Sequence, residues 1–135
     1  MTTPAKSTAK TDPKVRAKPK VKAAAAAEPF LRFYHSAKLR TKTLAVLTAL
    51  EQASDPEKHR ETLADLVVEL TESGMTYYYL RALKLAKAGF VVEQSARLAM
   101  SGAVKLIGSV SRTFIVRMDA IQLLAVSRHI RELAT

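Results

Sequence analysis

The sequence predicts an all-α protein: a helical bundle of about four helices with a long third helix, preceded by a disordered basic N-terminal arm. Three observations lead there. Residues 28–135 hold only two prolines, Pro29 and Pro56, and four glycines, Gly74, Gly89, Gly102 and Gly108. Apolar residues recur through that stretch at spacings of three and four, the period of a helix with one buried face. Residues 1–27, by contrast, contain no aromatic side chain and, beyond Met1, no aliphatic larger than valine, so they have nothing from which to build a core.

The arm, residues 1–27, sets Lys6, Lys10, Lys14, Arg16, Lys18, Lys20 and Lys22 against one acid, Asp12, and so carries +6 of the formal +10. Such a segment repels itself, stays open and attracts polyanions. Its lysines recur every two to four residues and leave no apolar run for a secretory signal, while Pro4, Pro13 and Pro19 interrupt the amphipathic helix of a transit peptide. The expectation is a cytoplasmic protein, associated with the nucleoid or with granules if with anything. The least polar stretch, residues 90–110, still contains Glu93, Arg97 and Lys105, so no transmembrane segment is expected. The 108 residues from Glu28 onward suffice for one helical domain, 28–135. Without cysteine the chain has no disulfide, thiolate ligand or thiol nucleophile.

Pro29 suits a first helical position and disfavours helical geometry at Glu28, which starts the first helix there. The stripe Phe30, Phe33, Tyr34, Ala37, Leu44, Leu47 and Leu50 carries it to about Ala53. Ser54-Asp55-Pro56-Glu57 then punctuates the chain: Asp55 can cap, Pro56 opens a helix, and Glu57 meets the positive end of the dipole. A second helix is predicted over 56–73, with Leu63, Leu66, Val67 and Leu70 inward and Gly74 as its left-handed terminator. From Met75 to Leu133 the periodicity is helical throughout, and one rod of that length would reach on the order of 90 Å. Gly108-Ser109-Val110-Ser111 is the predicted break, dividing a third helix over 75–107 from a fourth over 111–134.

Few residues suggest chemistry. His35, His59 and His129 lack the same-face partners of a metal site, and Ser127 and His129, two apart on a helix, point in different directions and cannot act as nucleophile and base. No glycine-rich phosphate loop is present. No catalytic residue, metal or cofactor is therefore expected, and the chain reads as a non-enzyme. Glu93 and Arg97 have the spacing of an intrahelical ion pair; a turn near Ser109 would bring Asp119 and Gln122 toward Arg97 as well. Tyr77, Tyr78 and Tyr79 cover more than half a helix circumference, so at least one phenol faces outward.

Two interaction surfaces follow. Arg32, Lys38, Arg40 and Lys42 make the first half of helix 1 basic beside the arm, while helix 2 is rich in Glu57, Glu61, Asp65, Glu69 and Glu72. Either the two helices neutralise one another, or arm and helix 1 form one polyanion-binding surface. Small residues at spacings of three and four, Ala82, Ala86 and Gly89, then Ser95, Ala99, Gly102 and Ala103, permit close approach of another helix; Gly102, Ala99 and Ala103 are the expected self-association positions. The expected function is that of a helical interaction protein, a homo-oligomer or the partner of another helical protein, whose basic arm binds DNA or another polyanion without sequence specificity. The alternative is an amphipathic coat or adaptor on a hydrophobic surface or partner helices. Alanine- and lysine-rich arms on helical bodies occur in nucleoid-associated proteins and in phasin-type granule coats, a likeness of composition alone.

Overall fold

The computed structural model describes residues 28–134 and divides at residue 32 into two units. In the first, residues 28–32 are irregular, with the Arg32 guanidinium 4.8 Å from the centre of the Phe30 ring. The expected disordered arm, 1–27, lies outside the described residues. The second unit is helical from Ala37 to Leu133 apart from the turns between its helices.

Among the described residues there are four helices. α1 spans Ala37–Gln52. α2 is a continuous helical rod assembled from a 3₁₀ turn, Pro56–His59, an α-helix, Arg60–Met75, a π turn, Thr76–Leu80, and a last α-helical stretch, Arg81–Leu85. α3, Phe90–Ile115, is the longest at 26 residues, and α4 spans Ala120–Leu133. α1 packs antiparallel on α2 and α2 on α3, while α4 packs against α1 and the first turn of α2. The contacts that fix this order are Lys42 with Glu69 between α1 and α2, Arg112 with Glu61 and Asp65 between α3 and α2, and Arg131 with Glu51 between α4 and α1.

The all-α bundle with a long third helix matches the periodicity, but several predicted boundaries move. α1 starts at Ala37 and not at Pro29, because the Ser36 hydroxyl caps it, accepting from the Leu39 amide at 3.0 Å. That leaves Phe33 and Tyr34 free to turn toward the tyrosines of α2. The second helix opens at Pro56 as expected, although Asp55 offers no side-chain cap and lies 3.9 Å from Lys58. Gly74 does not terminate it. The glycine stays in helical geometry with its α-carbon turned to the Phe33 ring, and the terminating conformations fall at Lys87 and Gly89, with φ of 54° and 99°.

The predicted break at 108–111 is likewise absent. Gly108 is buried inside α3, where a β-carbon would lie 3.0 Å from Val68 Cγ2, so the glycine serves close packing of α3 on α2. Arg112, awkward at the start of a helix, instead occupies the last turn of α3, where a cation suits the dipole. The true break is 116–119. Asp119 accepts from the Gln122 amide at 2.9 Å while the Gln122 side chain accepts from the Asp119 amide at 3.0 Å, a reciprocal capping box that opens α4. Asp119 and Gln122 thus satisfy each other and do not turn to Arg97.

The core occupies one end of the bundle. Leu47 and Leu50 of α1, Leu63, Ala64 and Leu66 of α2, Ile115 of α3 and Leu123 of α4 form a buried cluster, ringed by Val46, Val67, Leu70, Met118, Leu124, Val126 and Ile130. Each fully buried leucine contributes about 2 kcal/mol. Polar ties staple the periphery. Arg60 Nε donates to the Met118 carbonyl at 2.8 Å, joining the start of α2 to the α3–α4 turn, and the buried Thr43 hydroxyl donates to the Leu39 carbonyl. Beyond this core α2 and α3 continue together as a two-helix hairpin, and residues 81–99 include no buried side chain.

Candidate interaction surfaces

The sequence-predicted polyanion positions separate into three groups. Lys6, Lys10, Lys14, Arg16, Lys18, Lys20 and Lys22 lie outside the described residues. Arg32 belongs to the first unit, exposed. Lys38, Arg40 and Lys42 are exposed on the first two turns of α1, but not as one patch: Lys38 and Lys42, four apart, share the face that lines a cleft, whereas Arg40 lies across the helix. Lys42 pairs with Glu69. Lys38 and Arg40 make no ion pair with any acid among the described residues.

Glu72 lines the same cleft as Lys38, and the other acids of α2 are engaged elsewhere. Glu61 and Asp65 both receive Arg112 from α3, and Glu57 lies 3.5 Å from Arg60. The Asp65 hydrogen bond, against partial desolvation and with help from Glu61, pushes the Arg112 guanidinium above its ordinary value. Mutual neutralisation of helices 1 and 2 is therefore confined to Lys42 with Glu69.

The cleft, about 640 Å³, lies between the start of α1 and the π turn, lined among others by Tyr34, His35, Lys38, Glu72, Tyr77 and Arg81. Here the structure gathers what sequence spacing kept apart. Tyr34 meets Tyr77 edge-on at 5.9 Å, Phe33 meets Tyr78 at 6.1 Å, Tyr77 and Tyr78 are perpendicular at 5.6 Å, and Arg81 sits 5.0 Å from the Tyr77 ring centre. Aromatic pairs of this geometry are worth about 0.5–1.5 kcal/mol each. The one sequence signal for this cluster is that aromatics concentrate in two short blocks, 30–34 and 77–79. Tyr34 and Tyr79 remain largely exposed.

The second surface is the outer face of α3. Val104, Gly108 and Ile115 point inward. Opposite them, at 100° per residue, run Val92, Ser95, Ala99, Gly102, Leu106, Val110 and Phe114. Leu106 is 68% and Phe114 64% exposed, and Gly102 has nothing within 4 Å of its β-carbon position. Of the expected self-association residues, Ala99 and Gly102 lie open on this face and Ala103 is half-buried at its edge. Glu93 and Arg97 form no ion pair with each other.

A third group escaped sequence reading. Glu51 on α1 accepts from the buried Ser127 hydroxyl at 2.7 Å and from Arg131 Nε and Nη2 at 3.2 and 3.0 Å, while Arg131 also donates to Thr48. Arg131, outweighing the desolvation and assisted by Ser127, holds the Glu51 carboxyl below its ordinary value. The arrangement joins α1 to α4 and is structural: Ser127 is closed to solvent and His129 is exposed, away from it. No cluster of metal-ligating side chains occurs among the described residues, and none of their helices is long and apolar enough to cross a membrane. No protein-family model matches the chain, and neither does a curated protein or a solved structure.

Proposed function

We propose that the chain is a non-enzymatic helical interaction protein that attaches to DNA or another polyanion, without sequence specificity, through its basic N-terminal residues, and associates with helical partners through its bundle. The observation that carries the reading is the fate of the acids. Residues 1–27 hold seven basic side chains against one acid, and four of the five acids of α2 named above pair with Arg112, Arg60 and Lys42, so that Glu72, across the cleft from Lys38, is what is left to offset Lys38 and Arg40, which pair with no acid among the described residues. Lysines contact phosphates as point charges and carry no base readout.

Filter binding across salt tests this with the intact chain and with residues 1–27 removed. If about six phosphates are neutralised, the log-log salt slope is near −5 and affinity falls roughly a thousandfold between ~50 and ~200 mM salt. Different duplex sequences compete equally, and the truncated chain binds weakly with a flattened slope. Sequence-selective or salt-insensitive binding, or none at low salt, overturns the reading. The coat or adaptor alternative draws on the apolar outer face of α3, and it differs in being indifferent to removal of residues 1–27.

A further inference from the structure

We infer that the outer face of α3 is a self-complementary interface on which two copies of this chain pack with their α3 helices antiparallel, crossing at Gly102. The inference deepens the association half of the proposed function and rests on it. Its first support is the graded size of the face. Beyond Val92 at its end, the half nearer the hairpin tip is small, with Ser95, Ala99 and Gly102; the half nearer the core is large, with Leu106, Val110 and Phe114. A two-fold axis near Gly102 and Ala103 lays each copy's large half on the other's small half, so Leu106 meets Ala99 and Val110 meets Ser95. Parallel pairing would set large on large and leave a gap between the small residues. The antiparallel arrangement closes the seam on either side of the crossing at one helix separation, with Phe114 reaching Val91 and Val92 at the ends.

Charge and area agree with this occupant. Glu93, Arg97, Lys105 and Arg112 all fall on the other half of the helix circumference, so no charge is desolvated by the pairing. The seam from Val92 to Phe114 is ~33 Å long. Val92, Leu106, Val110 and Phe114, all well exposed, together with Leu98 at the edge and the small residues between them, offer about 500 Å² per copy, which for the pair reaches the ~1,000 Å² at which specific interfaces begin. A dimer with micromolar dissociation is expected. Gly102 lets the backbones approach at the crossing, and its β-carbon position is open in the single copy, so a larger residue there obstructs the second copy without disturbing the fold.

Mass in solution, measured on nuclease-treated full-length protein, tests the interface separately from polyanion binding, which salt titration reads. The wild type should pass from one to two copies over roughly 1–100 µM, and Gly102→Leu and Leu106→Lys should each raise the dissociation constant about tenfold or more while far-UV circular dichroism stays helical. Orientation is read by cross-linking in this cysteine-free chain. Ala103→Cys, beside the axis, should form a disulfide-linked dimer; Val92→Cys, whose copies are ~30 Å apart in the antiparallel pair, should not. A wild type that stays monomeric at ~100 µM, or a dimer unmoved by both Gly102→Leu and Leu106→Lys, overturns the proposal. So does efficient cross-linking of Val92→Cys. A monomer that floats with phosphatidylcholine vesicles until Leu106→Lys is introduced also overturns it, in favour of a hydrophobic surface as the occupant.

Discussion

Two glycines six residues apart on α3 should respond in opposite ways to the same substitution. Replacing an interior helical glycine with alanine gains about 1 kcal/mol of helix propensity. At Gly102 nothing lies within 4 Å of the new methyl, so Gly102→Ala should realise that gain, measured at submicromolar protein. At Gly108 the methyl arrives 3.0 Å from Val68 Cγ2 and 3.5 Å from Cγ1, whereas relaxed carbon contacts are ~3.5–4.0 Å. A helical valine has one strongly preferred χ1, so it cannot rotate clear; α2 and α3 must part by a few tenths of an ångström. Overpacking of this kind costs about 1–3 kcal/mol, which makes Gly108→Ala neutral to about 2 kcal/mol destabilising after the propensity gain. Urea unfolding followed by circular dichroism should therefore separate the two variants by about 1–3 kcal/mol. Adding Val68→Ala to Gly108→Ala should recover stability non-additively, with a coupling of about 0.5 kcal/mol or more. Equal stabilisation by both alanines would refute the close contact of Gly108 with Val68.

Glu51→Gln should cost about 1.5–3 kcal/mol at neutral pH, because the buried Ser127 hydroxyl and Arg131 lose a charged acceptor. The wild type should also lose stability as acid is added: the folded carboxyl lies below its ordinary value, so its contribution is complete above the usual carboxylate pKa of about 4.3 and is lost as pH falls through the folded value. Urea midpoints of the wild type and Glu51→Gln should converge below about pH 4; a gap that persists unchanged in acid contradicts the ion pair. Lys87→Gly should raise the melting temperature, since a left-handed non-glycine backbone costs about 1 kcal/mol, partly offset by the freer unfolded chain. A lowered melting temperature would mean that the Lys87 side chain does more than its exposed position suggests.

The sequence by itself determined the helical class, the second helix opening at Pro56, and the concentration of charge in residues 1–27, because these follow from local periodicity, proline geometry and composition. The small-residue positions Ala99 and Gly102 were legible too, though whether they faced inward was not. Tertiary structure decided the boundaries. Gly74 and Gly108 look like helix breakers in the sequence, yet each sits in a helix where another element comes close, Phe33 against one and Val68 against the other. Lys87 took the left-handed turn that composition would have given to a glycine, and Asp119 with Gln122 made a capping box that the apolar pattern running across it concealed. The aromatic cleft and the Glu51, Ser127 and Arg131 group were invisible for the same reason. Their members are separated by more than 40 residues, and only the antiparallel packing of α1 on α2 and α4 brings them within reach. Local chemistry can state what a residue is able to do in a helix or a turn; which of those abilities is used depends on what the fold sets opposite it.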